Sequence, residues 1–149
     1  MTTPAKIVAK FVIQNTSQVS NLKLQKLLYY VQGWHLGLYG SIVFPERIEA
    51  WVHGPVVPDV FFHYRHFRWT PIQVDPETVQ LSGNIEKHIR DVLKIYSPLS
   101  ATQLEMLSHG ENPWKQARGT LPAGASSNAA ITPESMKLYF RKRAHGEEA

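Results

Sequence analysis

LQKLLYYVQGWHLGLYG, Leu24 to Gly40, carries leucines at helical spacing, two internal glycines, and a third glycine where a helix should stop. At about 100° per residue, Leu24, Leu27, Leu28, Val31, His35 and Leu38 share one stripe, read as the core face. Lys23, Lys26, Tyr30, Gly33 and Gly37 occupy much of the opposite side. Ser20 or Asn21 can cap the start, and Gly40 ends the helix. Gly33 and Gly37 each cost about 0.8–1.0 kcal/mol of helix propensity relative to Ala. Four residues apart, they stack on one face and let another backbone come close. The expected neighbour is the Trp51 to Pro58 segment, with a partner protein as the alternative. Tyr29, Tyr30 and Trp34 flank this groove and are of the kinds that anchor interfaces. His35 is read as a core histidine bonded to backbone near the Trp51-Val52-His53 turn, since buried polar groups need partners. A pH-sensitive contact is the sharper alternative.

Outward from this helix, the chain reads as mainly α. Thr3 and Pro4 open a first helix with Ile7, Val8 and Phe11 on one face, closed by Asn15 to Ser17. A small antiparallel β element is expected around residues 42–53, as Ile42 to Phe44 and Arg47 to Val52, with a further strand at 72–74. His53-Gly54-Pro55 is a sharp turn. Pro58 starts a third helix, with Val60, Tyr64 and Phe67 inward. Helices follow at Asn84 to Tyr96, from the Ser100–Gln103 capping box through Leu107, from Asn112, and from Thr132-Pro133 to about Arg143. Leu121 to Ala130 is a loop. The 149 residues make one domain, with 144–149 as a flexible tail.

Composition excludes several chemistries. There is no cysteine, so disulfides, thiol nucleophiles and thiolate metal sites are out. The N-terminus is broken by Lys6 and Lys10, unlike a signal peptide, and no apolar run reaches the roughly 18 residues of a membrane span. A cytoplasmic protein is expected. A net charge of +4 and a pI near 9.4 are mild, and Lys137, Arg141, Lys142 and Arg143 carry much of the excess. A solvated basic face is the expected reading, with an acidic partner or a phosphate backbone as the alternative.

The residues point away from catalysis. His63 and His66 sit three apart on one helix, but no carboxylate stands at ligand spacing and no His-Glu-x-x-His occurs, so no metal site is assigned. There is no Gly-x-Ser-x-Gly and no glycine-rich phosphate loop. Glu46 and Glu49, three apart on a strand, face opposite sides. No enzyme activity and no cofactor are expected.

Three blocks then carry a resemblance: KLQKLLYYVQGWHLGLYG, IEAWVHGPVVPDVF and LSHGENPWKQAR. In that order they resemble the SocA-like antitoxin domain, also called the Panacea domain, over about Ile7 to Phe140. The resemblance implies a largely helical fold with a small β component. It also implies an antitoxin of a two-gene module that neutralises a toxin, encoded by a neighbouring gene, by direct contact. Delivery of the toxin to the ClpXP protease is a second mode, and relatives in prophages and mobile elements lack an assigned activity. It implies no catalytic residue. His35, Trp51, Gly54, Pro55, His109, Pro113 and Trp114 are read as frame residues, since turn formers and large aromatics mostly serve packing. Tyr30, Gly33, Trp34, Gly37, Arg65, His66 and Trp69 are candidate partner-binding residues. The loops 69–83 and 119–130 and the tail are further candidates for the toxin-reading surface.

A DNA-binding regulator of its own operon is the competing reading, but the second helix offers only Lys23 and Lys26 and no cluster suited to base edges. A metal-dependent enzyme built on His63 and His66 is the third.

Overall fold

The computed structural model describes residues 2–148, which hold seven helices and a three-stranded sheet. Helix α2, Asn21–Tyr39, lies at the centre. Ser20 caps it by accepting from the Lys23 amide, and Gly40 closes it in the left-handed region at φ 77°. Its ten residues from Leu24 to Gly33 are all buried, including Gln25, Lys26 and Gln32. The expected two-faced helix is therefore an axle covered all round. Leu38, placed in the core stripe by spacing alone, is 51% exposed instead.

Five other helices surround it: α1 (Ala5–Gln14), α3 (Pro58–Tyr64), α4 (Gly83–Tyr96), α5 (Ala101–His109) and α7 (Pro133–Ala144). The closest packing is with α7, the last helix. A β-carbon on Gly33 would land on the Phe140 ring, and one on Gly37 would come 2.6 Å from the Phe140 carbonyl carbon. The glycines thus admit α7, not the Trp51 to Pro58 segment and not a partner.

Local chemistry explains most element boundaries. Thr132 caps α7 by accepting from the Ser135 amide, and Ser82 does the same for α4 from Ile85. Ser100 and Gln103 exchange both bonds of the capping box. Two starts differ from expectation. Helix α1 begins at Ala5 with no side-chain cap, because the Ala5 amide donates to Glu46 and the Thr3 amide to the Val43 carbonyl. Helix α6, Asn112–Arg118, also lacks a side-chain cap, because the carboxylate of Glu111 at its N-cap turns inward to accept from Tyr29 and Tyr30.

The sheet has the order β2-β1-β3, both pairs antiparallel. Strands β1 (Ile48–Trp51) and β2 (Gly54–Val56) form a tight hairpin in which Trp51 pairs with Gly54. Gly54 sits at φ 108°, a conformation L side chains seldom adopt. Strand β3 is Ala130–Ile131, at the end of what reads in sequence as a loop.

The expected strands at 42–44 and 72–74 do not form. Gln32 takes the role of a strand neighbour for the first: its amide oxygen accepts from the Val43 and Phe44 amides, and its nitrogen donates to the Phe44 carbonyl. The second segment makes one backbone bond, from the Ile72 amide to the Val19 carbonyl, and buries Ile72 in the core.

Candidate functional site

The three sequence blocks meet inside the molecule. Helix α2 brings Lys26, Tyr29 and Tyr30. The β1–β2 hairpin brings Trp51, Gly54 and Pro55, and the α5–α6 corner brings Ser108, His109, Glu111, Pro113 and Trp114.

Glu111 is the hub and only 7% exposed. Tyr29 donates its hydroxyl to one carboxylate oxygen at 2.9 Å, and Tyr30 to the other at 3.1 Å. Burial pushes the Glu111 carboxyl up to about 7 against the pull of these two hydrogen bonds. Burial, reinforced by the nearby carboxylate, raises both tyrosine hydroxyls in turn. Tyr30 stacks on Tyr96 at 3.9 Å between ring centres, and Tyr96 accepts from the Trp34 indole at 2.8 Å.

Lys26 lies beneath the hairpin turn and is 0% exposed. A β-carbon at Gly54 would come 2.9 Å from its Cε and 3.1 Å from the Ser108 hydroxyl. Its Nζ has no hydrogen-bond partner. Burial lowers its ammonium to about 7, opposed weakly by Glu105.

Trp114 donates its indole N–H to the Trp51 carbonyl at 2.9 Å, bolting α6 to the hairpin. His109 stacks flat on Trp114 at 4.0 Å, and Arg118 covers the same ring at 4.7 Å. The Arg118 guanidinium donates to the Ala50 carbonyl and to those of Pro122, Ala123 and Ala125. One side chain thereby holds the 121–129 segment against β1.

Of the candidate partner-binding residues, Tyr30, Gly33 and Gly37 are buried under α7 and do not form a free surface. Trp34 is half-buried against Phe140 and bound to Tyr96. Arg65, His66 and Trp69 are exposed, following α3 through the 3₁₀ turn Arg65–Phe67. Among the frame residues, Gly54, Pro55, Pro113 and Trp114 are buried, while Trp51 and His109 are half-buried. His35 is buried, but its Nδ1 meets the Ser41 carbonyl at 2.6 Å, not the Trp51 to His53 turn. That carbonyl is only six residues away, past the Gly40 stop, and so lies nearer than the hairpin. His88 of α4 packs edge-on against His35 and bonds the Val31 carbonyl. His63 and His66 are exposed, and the described residues contain no group of three His, Cys, Asp or Glu side chains placed to hold a metal.

Sequence reasoning missed Lys26, Gln25, Gln32 and Arg118. Gln25 accepts from the Val57 amide and donates to Asn21, so it ties α2 to the start of α3. The usable signal was polar residues with apolar neighbours on both sides, as in LQKLL and YVQGW.

Burial thus acts separately on the Glu111 carboxyl and the Lys26 ammonium, and the two groups are not bonded to each other. A cleft of about 640 Å³ lies elsewhere, between α1 and the 71–79 segment. No helix among the described residues is long and apolar enough to cross a membrane.

The frame is helical, with a Tyr-Tyr-Glu centre inside it, and comparison with known families supplies the class. The family model described as antitoxin SocA-like, Panacea domain, matches residues 24–115, from α2 into α6, and the chain belongs to that family. No curated protein and no solved structure matches it.

Proposed function

We propose that this chain is an antitoxin that neutralises a toxin, encoded by a neighbouring gene, by direct protein contact. The observation that carries this reading is that the residues through which the three blocks meet are buried. Lys26, Tyr29, Tyr30, Gly54 and Glu111 are buried; Tyr29 and Tyr30 bond Glu111, and Gly54 packs on Lys26. A frame of this kind leaves the outer faces free to vary with the toxin, and membership of an antitoxin family supplies the kind of partner. The burial of α2 on every side also argues against its use as a recognition helix in a DNA groove.

Growth under induction of the neighbouring gene, with and without this protein, tests the reading. Toxicity that this protein abolishes, with co-purification of the pair, is expected. Rescue accompanied by ClpXP-dependent loss of the toxin, without a stable pair, would replace sequestration with delivery for degradation. A neighbour that still kills in the presence of this protein would sink the reading.

A further inference from the structure

Residues Phe62 to Trp69, FHYRHFRW, hold two arginines and two histidines, and no acid occurs anywhere from residue 60 to 74. Tyr64 turns into the core, whereas Phe62, His63, Arg65, His66, Arg68 and Trp69 are exposed. Phe62 is 52% and Trp69 79% exposed, the latter the highest exposure among the large apolar side chains described. The Arg65 guanidinium lies 5.6 Å over the Phe62 ring. Arg65 and Arg68 share with most of the described lysines and arginines the lack of a carboxylate partner, which Lys10, Arg47, Lys87 and Arg90 have.

The backbone adds a second observation. The Thr70 amide donates to the Phe67 carbonyl at 3.0 Å, closing a four-residue turn. Arg68, its second residue, has φ 55° and ψ −122°, the geometry of a type II′ turn, where glycine is the favoured residue. Arginine there is strained, and among the described residues its side chain makes no hydrogen bond or ion pair to offset the strain. Such strain at an exposed position is a common mark of function.

We propose that this strip is the toxin-docking surface, and that its occupant is an acidic segment of the toxin. Carboxylates on that segment meet Arg65 and Arg68, whose planar guanidinium groups can each bind one bidentately. Its apolar side chains lie on Phe62 and Trp69, and Trp and Arg are the commonest energetic anchors of protein interfaces. The proposal rests on the antitoxin reading above. A single-stranded nucleic acid could use the same rings and charges. The strip, however, offers two arginines and no lysine, far short of the row of cations that tracks a phosphate backbone.

The test compares wild type with Arg68→Gly, Arg65→Glu and Trp69→Ala, using the purified neighbouring gene product as probe. Arg68→Gly is expected to melt a few degrees above wild type, because the strain is relieved, and yet to bind the toxin about tenfold more weakly or worse. Arg65→Glu and Trp69→Ala are expected to fold normally and lose binding, and added salt should weaken the wild-type complex. If wild type protects and binds, and all three variants bind equally well, the docking proposal is wrong while the antitoxin reading stands. If wild type neither protects nor binds, the antitoxin reading fails and takes this proposal with it. If the variants lose binding only to a labelled oligothymidylate and keep the toxin, the strip serves nucleic acid and the proposal is overturned.

Discussion

Gly37 and Phe140 touch backbone to backbone: a β-carbon on the glycine would sit 2.6 Å from the Phe140 carbonyl carbon and 2.9 Å from the Arg141 nitrogen. Backbone cannot swing aside as a side chain can, so α7 would have to move as a body. Gly37→Ala gains about 1 kcal/mol of helix propensity. The overpacking outweighs it, and a net loss of about 1–3 kcal/mol is expected. Chemical denaturation of the variant would show it as a lower midpoint with an unchanged slope. Gly33→Ala meets the Phe140 ring instead, so trimming that ring with Phe140→Ala should recover part of its loss in a double-mutant cycle.

The pH profile of stability should dip near neutrality. The Glu111 carboxyl is raised from 4.5 to about 7 in the folded chain. Between those values the folded state holds a proton that the unfolded state has released, so stability falls as pH rises. Lys26 is lowered from 10.5 to about 7. Between about 7 and 10.5 the unfolded state holds the extra proton, so stability rises with pH. Both penalties are therefore in force around pH 7. Glu111→Gln should flatten the acid limb and Lys26→Met the alkaline one. An unaltered alkaline limb in Lys26→Met would show that Lys26 does not titrate in this way.

At neutral pH, Lys26→Met should stabilise the protein by about 1–4 kcal/mol, since it replaces a buried, unpartnered amine with an apolar chain of similar volume. Calorimetric melting at pH 7 is the measurement, and a lower melting temperature would refute the expectation.

Arg118→Lys should resemble Arg118→Ala more than wild type. The guanidinium serves carbonyls on β1 and on the 121–129 segment at once, and one ammonium cannot span both. A loss of about 3 kcal/mol or more is expected for the alanine variant, since a hydrogen bond to a charged group contributes roughly 1.5–3 kcal/mol net. Hydrogen exchange should speed up at Ala50, whose amide donates to Ala129 across the same junction.

Gln32→Leu should destabilise by about 2–4 kcal/mol, because it strands the Val43 and Phe44 amides and the Phe44 carbonyl, with each buried orphan costing about 1–3 kcal/mol and part recovered by relaxation. Gln32→Glu, which keeps the acceptor but not the donor, should fall between the two in a melting experiment.

Local signals were legible where they act locally. Ser20 and Gly40 bound α2, Ser100 and Gln103 bound α5, and Pro58 opens α3, because each effect lies within a few residues of its cause. What the helical wheel concealed was the second layer of cover on α2. Tyr30, Gly33 and Gly37 read as an outer face because the helix that buries them is about a hundred residues away. The β element was misplaced for a related reason: Ile42 to Phe44 has strand-like residues, but a side chain from α2 takes its hydrogen bonds. Ala130–Ile131 is a strand only because β1 lies beside it. The family was legible from the three blocks, although the bonds from Tyr29 and Tyr30 to Glu111 were not, since no spacing in the chain announces that these residues meet.

The placement of α7 over the glycines of α2 sets the order in which the chain can mature on the ribosome. The axle helix is synthesised early, but one flank of it stays open to water until residues 133–144 have emerged from the exit tunnel. During that interval the nascent chain displays Tyr29, Tyr30 and a bare glycine seam to chaperones and proteases. Closure then joins segments about a hundred residues apart, and contacts so distant in sequence form slowly. A stop codon or frameshift ahead of Pro133 would therefore remove the lid of the core, and the product should be degraded during or soon after synthesis.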